Sequence, residues 1–204
     1  MSFYRYLKPL FWGIVLANLI FIPWDIWFTH KGIWGFNPNY YMGFKLGPLP
    51  IEEWLWFVVT PYACFFIYET LRYFVKQRVF RKWKSFHVGL AGLFIFIGVG
   101  AYPLWYTSFT FFLTGLLLLI SIKTLPKANW FNFWLTYLVC LLPFFIFNSA
   151  LTGLFTAEPV VWYNTTYFLR IRIGTIPMED GIYLLLYLLL IYQVYGRYTQ
   201  NEIK

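Results

Sequence analysis

The chain has 204 residues, of which 60% are hydrophobic, 25% aromatic and only 12% charged. Soluble domains carry about 25% charged residues, so a soluble enzyme, a disordered tail and a disulfide scaffold are all excluded. The net charge of +8 lies between apolar runs and reads as a topology signal, not as a nucleic-acid footprint.

The expected fold class is all-α: a polytopic membrane bundle of about six transmembrane helices, one domain over 1–204. The apolar stretches run over 9–28, 51–71, 86–102, 104–122, 130–151 and 177–196. Each approaches the ~20 residues that a bilayer-spanning helix needs. The first follows Arg5 and Lys8 and has no small-residue cleavage site, so it reads as a retained anchor. The third and fourth are the shortest, and 86–122 reads as either a hairpin or one long bent helix. Ala101-Tyr102-Pro103 marks the break, because proline disfavours a helical residue before it.

Charge counting separates the two. With six spans, twelve Lys and Arg fall on one side and four on the other; with five, the division is ten to six. The sharper asymmetry predicts six spans with both termini cytoplasmic. Cys64 and Cys140 both lie in apolar runs, which speaks against a structural disulfide and a thiolate metal site.

Two loop-to-helix junctions match at a constant offset of 127 residues. The first carries Asn37, Tyr40, Lys45, Gly47, Pro50, Glu52 and Glu53; the second carries Asn164, Tyr167, Arg172, Gly174, Pro177, Glu179 and Asp180. The spans before them match less strictly, Phe21-Ile-Pro23 with Leu141-Leu-Pro143, with a seven-residue insertion before the second junction. The expected organisation is two parallel pseudo-repeats, about 9–75 and about 104–197, related by an axis along the membrane normal. The fourth span has no counterpart, so the first repeat lacks its initial helix.

Four of the eight acids sit in the two Pro-x-Glu-acid motifs. One reading is structural: proline and a carboxylate at a helix start satisfy free amides and the macrodipole. The other is chemical: carboxyls in an apolar, aromatic pocket can exchange a proton near neutrality. The duplicated upstream residues and the second acid of each pair exceed what helix starting requires. Glu52, Glu53, Glu179 and Asp180 are therefore the candidate catalytic residues. One acid of each pair is expected to be ionised, set against Lys45 or Arg172. Adjacent helical residues diverge by about 100°, so only one of each pair faces a given pocket. Asp25 lies at a similar depth and either joins the site or pairs with a loop cation. Trp34, Tyr40, Tyr41, Trp54, Trp56, Trp162 and Tyr163 form an aromatic cluster around the motifs, where ring faces can stabilise a cation.

At these residues the chain resembles the small integral-membrane lycopene cyclases. Gly32-Ile-Trp-Gly-Phe-Asn-Pro-Asn-Tyr40, Pro50-Ile-Glu-Glu53, Glu158-Pro-Val-Val-Trp-Tyr-Asn164 and Arg172-Ile-Gly-Thr-Ile-Pro-Met-Glu-Asp180 carry the likeness. Pro143-Phe-Phe-Ile-Phe-Asn-Ser-Ala-Leu-Thr-Gly153 also fits and adds Asn148 to the orienting candidates. Those candidates are then Asp25, Trp34, Asn37, Tyr40, Lys45, Asn148, Trp162, Asn164 and Arg172. The resemblance covers nearly the whole chain and is closest to the form with both repeats in one polypeptide. It implies cyclisation of the linear ends of lycopene to β-ionone rings, in a bacterial inner membrane. Lycopene and related carotenoids are the expected partners, with assembly as a homo-oligomer or with a cyclase subunit left open; no cofactor is evident from the sequence. The chain departs from that form in two places: one further helix is expected before Trp24-Asp25, and a small residue where Arg170 stands.

Other membrane chemistries fit less well. The last span has no lysine for a retinal Schiff base. The two histidines, His30 and His87, lie near span ends on opposite sides, which disfavours haem and di-iron sites. The only aspartates, Asp25 and Asp180, do not cluster as a magnesium-dependent prenyltransferase requires. Two alternatives remain: a non-enzymatic carotenoid- or isoprenoid-binding protein or small transporter, since paired acids in repeated membrane helices also suit a carrier, and a subunit of a heteromeric cyclase that is inactive alone.

Overall fold

The computed structural model describes residues 3–76, 82–125 and 130–201. Arg78, Arg81, Lys127, Glu202 and Lys204, which enter the charge and acid counts, lie outside the described residues. Six helices follow in order: α1 Leu7–His30, α2 Ile51–Phe74, α3 Trp83–Gly100, α4 Trp105–Thr124, α5 Trp130–Leu151 and α6 Met178–Asn201. All six contain an apolar stretch long enough to cross a membrane. The all-α reading holds, and 86–122 is a hairpin: α3 stops at Gly100 and α4 starts at Trp105.

Without water in the bilayer core, every backbone group needs a protein partner. Pro61 inside α2 removes the amide that the Phe57 carbonyl would accept. The side chains of Tyr187 on α6 and Asn18 on α1 gather at that carbonyl: the Tyr187 hydroxyl lies 2.6 Å from both the Phe57 carbonyl and Asn18 Oδ1, and Asn18 Nδ2 donates to the carbonyl at 3.4 Å. Small residues let helices approach. A Cβ on Gly98 of α3 would lie 2.5 Å from the Phe112 nitrogen of α4, so that crossing depends on glycine.

Helix α6 is the centre of the bundle. Leu184, Leu188, Ile191 and Tyr192 are all buried, and α1 and α4 both pack on it. Helix α2 packs chiefly on α5. With the 127-residue offset, α2 corresponds to α6, and α5 takes the place of α1. The α1–α6 pair is thus mirrored by the α5–α2 pair. Lys8 and Arg197 line one cleft, so both termini lie at the same end of the bundle.

The opposite end carries six short strands: β1 Trp34–Phe36, β2 Lys45–Leu46, β3 Leu49–Pro50, β4 Val161–Tyr163, β5 Arg172–Ile173 and β6 Ile176–Pro177. β2 pairs with β3 and β5 with β6, each as a tight antiparallel hairpin. Gly47 and Gly174 turn these hairpins in the left-handed region, at φ 67° and 63°. β1 pairs with β4 in a register that sets Gly35 opposite Trp162, its counterpart 127 residues on. This is the register of a local two-fold axis between the two strands. The backbone bonds obey it: Asn37 N donates to the Val160 carbonyl and Asn164 N to the Ile33 carbonyl, both at 2.8 Å. Arg170, at φ 62°, occupies the place of Gly43, at φ 88°. The expected small residue there reflects a left-handed backbone, which glycine adopts without strain.

Candidate active site

Where the strands cap the bundle, a cavity of about 70 Å³ lies between α1, α2, α4, α5 and α6. Three carboxyls line it: Asp25 from α1, Glu53 from α2 and Asp180 from α6. Glu53 and Asp180 are counterparts at the 127-residue offset, so the cavity straddles the local two-fold axis. The rest of the wall is largely aromatic, with Trp34, Trp56, Tyr106, Tyr163 and Tyr183. Pockets that hold small ligands usually enclose about 300 Å³ or more. An occupant as large as a six-membered ring must therefore displace part of this lining.

The two acids of each motif diverge as helix geometry requires. Pro50 and Pro177 end β3 and β6, and the helices begin at the next residue. The first acid of each pair reaches back to the preceding loop. Glu52 Oε1 accepts the Met42 amide at 2.8 Å, and Glu179 Oε1 accepts the Leu169 amide at 3.0 Å. Met42 and Leu169 are themselves counterparts. The Thr107 hydroxyl of α4 also donates to Glu179 Oε1, at 2.6 Å. Neither Glu52 nor Glu179 lines the cavity. The second acid of each pair does, one helical position on.

The three cavity carboxyls are held differently. Asp180 accepts two phenolic hydrogen bonds, from Tyr106 at 2.6 Å and from Tyr163 at 2.8 Å. Asp25 is buried and accepts the Trp34 indole N–H at 2.6 Å. Its Oδ2 is buried without a hydrogen-bond partner among the described residues. Glu53 accepts no hydrogen bond from the described residues. Tyr163, on β4, is held well above the usual phenol range by burial and then by Asp180 beside it, so it remains a donor.

The orienting candidates separate into three groups. Asp25, Trp34 and Asn148 line the cavity. Asn37 and Asn164 shape loops instead: their Oδ1 atoms accept the amides of Asn39 at 3.1 Å and Thr166 at 3.0 Å. Tyr40 is exposed and its hydroxyl meets the Glu158 amide, while the Trp162 indole lies against Gly35. Lys45 and Arg172 do not pair with the acids as expected. The hairpins turn both outward. Lys45 lies over the Tyr41 ring at 4.8 Å and Arg172 over Phe168 at 5.0 Å. Among the described residues the one ion pair joins Arg72 to Glu69, on α2.

Sequence reasoning placed Trp56 and Tyr163 in the aromatic cluster around the motifs, and both line the cavity; it missed Tyr106, Thr107 and Tyr183. The offset alone would have found Tyr183, since it is the counterpart of Trp56. Tyr106 and Thr107 carry no such signal, because the positions 127 residues earlier fall before Met1.

Three carboxyls, fixed phenol donors and ring faces around a largely aromatic cavity suit proton transfer to and from an apolar molecule. The sequence model of lycopene cyclases matches residues 1–71 and 103–197. The chain belongs to the lycopene cyclase family. The matched stretches include all three cavity carboxyls, and the segment between them holds α3. No curated protein and no solved structure matches the chain. Family membership supports a role in carotenoid cyclisation, within a bundle of six helices apolar enough to span a membrane.

Proposed function

We propose that this lycopene cyclase is a β-cyclase that closes the linear ends of lycopene into β-ionone rings inside a bacterial inner membrane. The observation that carries this reading is the unequal support of Glu53 and Asp180 across one aromatic cavity. A carboxyl with no hydrogen bond is free to turn its proton toward an alkene, whereas a carboxylate with two phenol donors is positioned to receive one.

In the proposed reaction, Glu53 gives a proton to the terminal double bond of the substrate. The resulting tertiary cation is attacked by the double bond that closes the six-membered ring. The positive charge moves onto the ring, where Trp34, Trp56 and Tyr183 present π-faces to it. Asp180 then removes a ring proton, leaving the β-ionone double bond. One proton enters and one leaves, so the reaction is redox-neutral. Asp25, fixed by Trp34, completes the acidic cluster and relays the proton back toward Glu53. Glu52 and Glu179 hold the loops that roof the cavity.

The test is chromatography of pigments from lycopene-producing bacteria that express this chain. β-Carotene, or monocyclic γ-carotene, is the expected product. Unchanged lycopene, with the protein present in the membrane, would overturn the reading in favour of a carrier.

A further inference from the structure

The α3–α4 hairpin carries another cleft, at the end of the bundle away from the candidate active site. It encloses about 640 Å³, within the range of about 300–1,000 Å³ usual for ligand pockets. Trp83, Lys84 and Val88 line it from α3, and Ile120, Lys123 and Thr124 from α4. The Thr124 hydroxyl donates to Gln193 of α6 at 2.7 Å, so this is the end where Arg197 lies. The lining is sorted by depth. Lys84 stands in the first turn of α3 and Lys123 in the last turn of α4. Val88 lies about one turn inward from Lys84, and Ile120 about one turn inward from Lys123. The cleft thus has a cationic rim over an apolar floor. Val88 and Ile120 are about half exposed, at 47% and 53%, so the floor is open. Trp83 is buried and stacks on Trp130 at 6.3 Å, which fixes that wall.

Both rim cations lack a carboxylate. Neither Lys84 nor Lys123 forms an ion pair among the described residues. The sequence holds no acid between Glu69 and Glu158, so the connections flanking the cleft bring none. Glu69 itself is taken by Arg72 and the Tyr195 hydroxyl. The first turn of α3 contains no acid either, and a lysine there opposes the helix macrodipole. Two cations without a counter-charge attract an anion. The apolar side chains one turn deeper favour an anion that is tethered to hydrocarbon, as basic clefts between membrane helices do.

We propose that this cleft binds one anionic phospholipid, with its phosphate between Lys84 and Lys123 and its acyl chains over Val88 and Ile120. The two lysines disfavour a zwitterionic lipid, whose headgroup carries a cation of its own. The apolar floor disfavours a free phosphate ester, which has nothing to lay there. Trp83, Lys84 and Val88 fall between the two stretches that the lycopene cyclase model matches. The site is therefore separate from the chemistry at the strand end, and the inference does not depend on the cyclase reading.

The protein in neutral detergent is offered equal amounts of phosphatidylglycerol and phosphatidylcholine, and native mass spectrometry reads the lipid retained. The expected result is one phosphatidylglycerol bound in preference to phosphatidylcholine. Lys84→Gln with Lys123→Gln should weaken that binding by about thirtyfold, the scale of two basic side chains near an anionic lipid. Lys84→Arg with Lys123→Arg should keep it. Lys8→Gln with Lys76→Gln removes the same charge at the same end, outside this cleft, and should leave binding within about twofold. Excess glycerol phosphate should not displace the lipid, and circular dichroism checks that each variant remains folded. Equal retention of the two lipids, or equal losses in the two glutamine pairs, would overturn the site. Displacement by glycerol phosphate would show binding of a free phosphate ester and overturn the lipid. A lipid-free dimer that Lys84→Gln with Lys123→Gln abolishes would name a second copy as the occupant and overturn the proposal. No carotenoid enters the measurement, so a failure of cyclisation leaves it unaffected.

Discussion

Glu53 and Asp180 occupy equivalent positions on α2 and α6, line the same cavity, and are held in opposite ways. Asp180 takes hydrogen bonds from two phenols, whereas Glu53 takes none from the described residues. A symmetric pair of motifs has thus become an asymmetric pair of acids. Glu53→Gln removes the proposed proton donor and should lower cyclisation by at least ~100-fold, the usual scale of general acid catalysis. Glu52→Gln should leave turnover near the parent level, because its amide oxygen still accepts the Met42 N–H. Product formation per folded protein checks both. Equal losses from the two substitutions would show that the first acid of the motif is chemical as well.

The phenols on Asp180 should act through that carboxylate. Removing one donor to a charged acceptor costs about 1.5–3 kcal/mol, so Tyr106→Phe or Tyr163→Phe should slow turnover by roughly ten- to a hundredfold. Burial and Asp180 hold Tyr163 above its usual range. Its hydroxyl therefore stays protonated as pH rises through the normal phenol range near 10. Parent and Tyr163→Phe proteins should show the same alkaline limb, the variant merely lying lower. Loss of parent activity below pH 10 that disappears in Tyr163→Phe would contradict this.

How far the sequence reveals the molecule depends on whether a feature leaves a local pattern. The six helices do, because their apolar runs are long and the Tyr102-Pro103 step interrupts the third and fourth. The duplicated junctions do as well, and their offset carries directly into the register of Gly35 against Trp162. The acids were legible as a group. Their division was not, because it depends on which side of a helix meets the cavity and which meets a loop amide. Tyr106 was invisible for another reason: it comes from α4, 74 residues before Asp180, in a segment with no repeat to mark it. Lys45 and Arg172 misled because a basic residue near an acid in sequence suggests a pair. The hairpins turn them toward Tyr41 and Phe168 instead.

The indole of Trp34 should matter to Asp25 more than its ring face does. Trp34→Phe keeps an aromatic wall but removes the 2.6 Å bond to Asp25 Oδ1. Among the described residues Oδ2 has no partner, so that carboxyl would keep only the 3.4 Å contact from Thr29 there. The expected result is a fall in kcat of about tenfold or more, with substrate affinity little changed. Kinetics in liposomes loaded with lycopene would separate the two. A change confined to KM would instead mark Trp34 as a binding surface.

Gly98 should be the most sensitive glycine of the α3–α4 hairpin. A Cβ there would sit 2.5 Å from the Phe112 nitrogen and 2.8 Å from its Cα. Those are backbone atoms, so no rotamer change relieves the clash and the helices must part. Gly98→Ala should destabilise the protein by about 1–3 kcal/mol, as overpacking of a close contact does. Gly92→Ala, on the same helix with no atom within 4 Å of its Cβ position, should be neutral or slightly stabilising through helix propensity. Thermal unfolding of both variants in detergent compares them directly. Because α4 carries Tyr106 into the cavity, Gly98→Ala should also lower cyclisation, whereas Gly92→Ala should not. Normal stability in Gly98→Ala would show that α3 and α4 do not cross as closely as 2.5 Å implies.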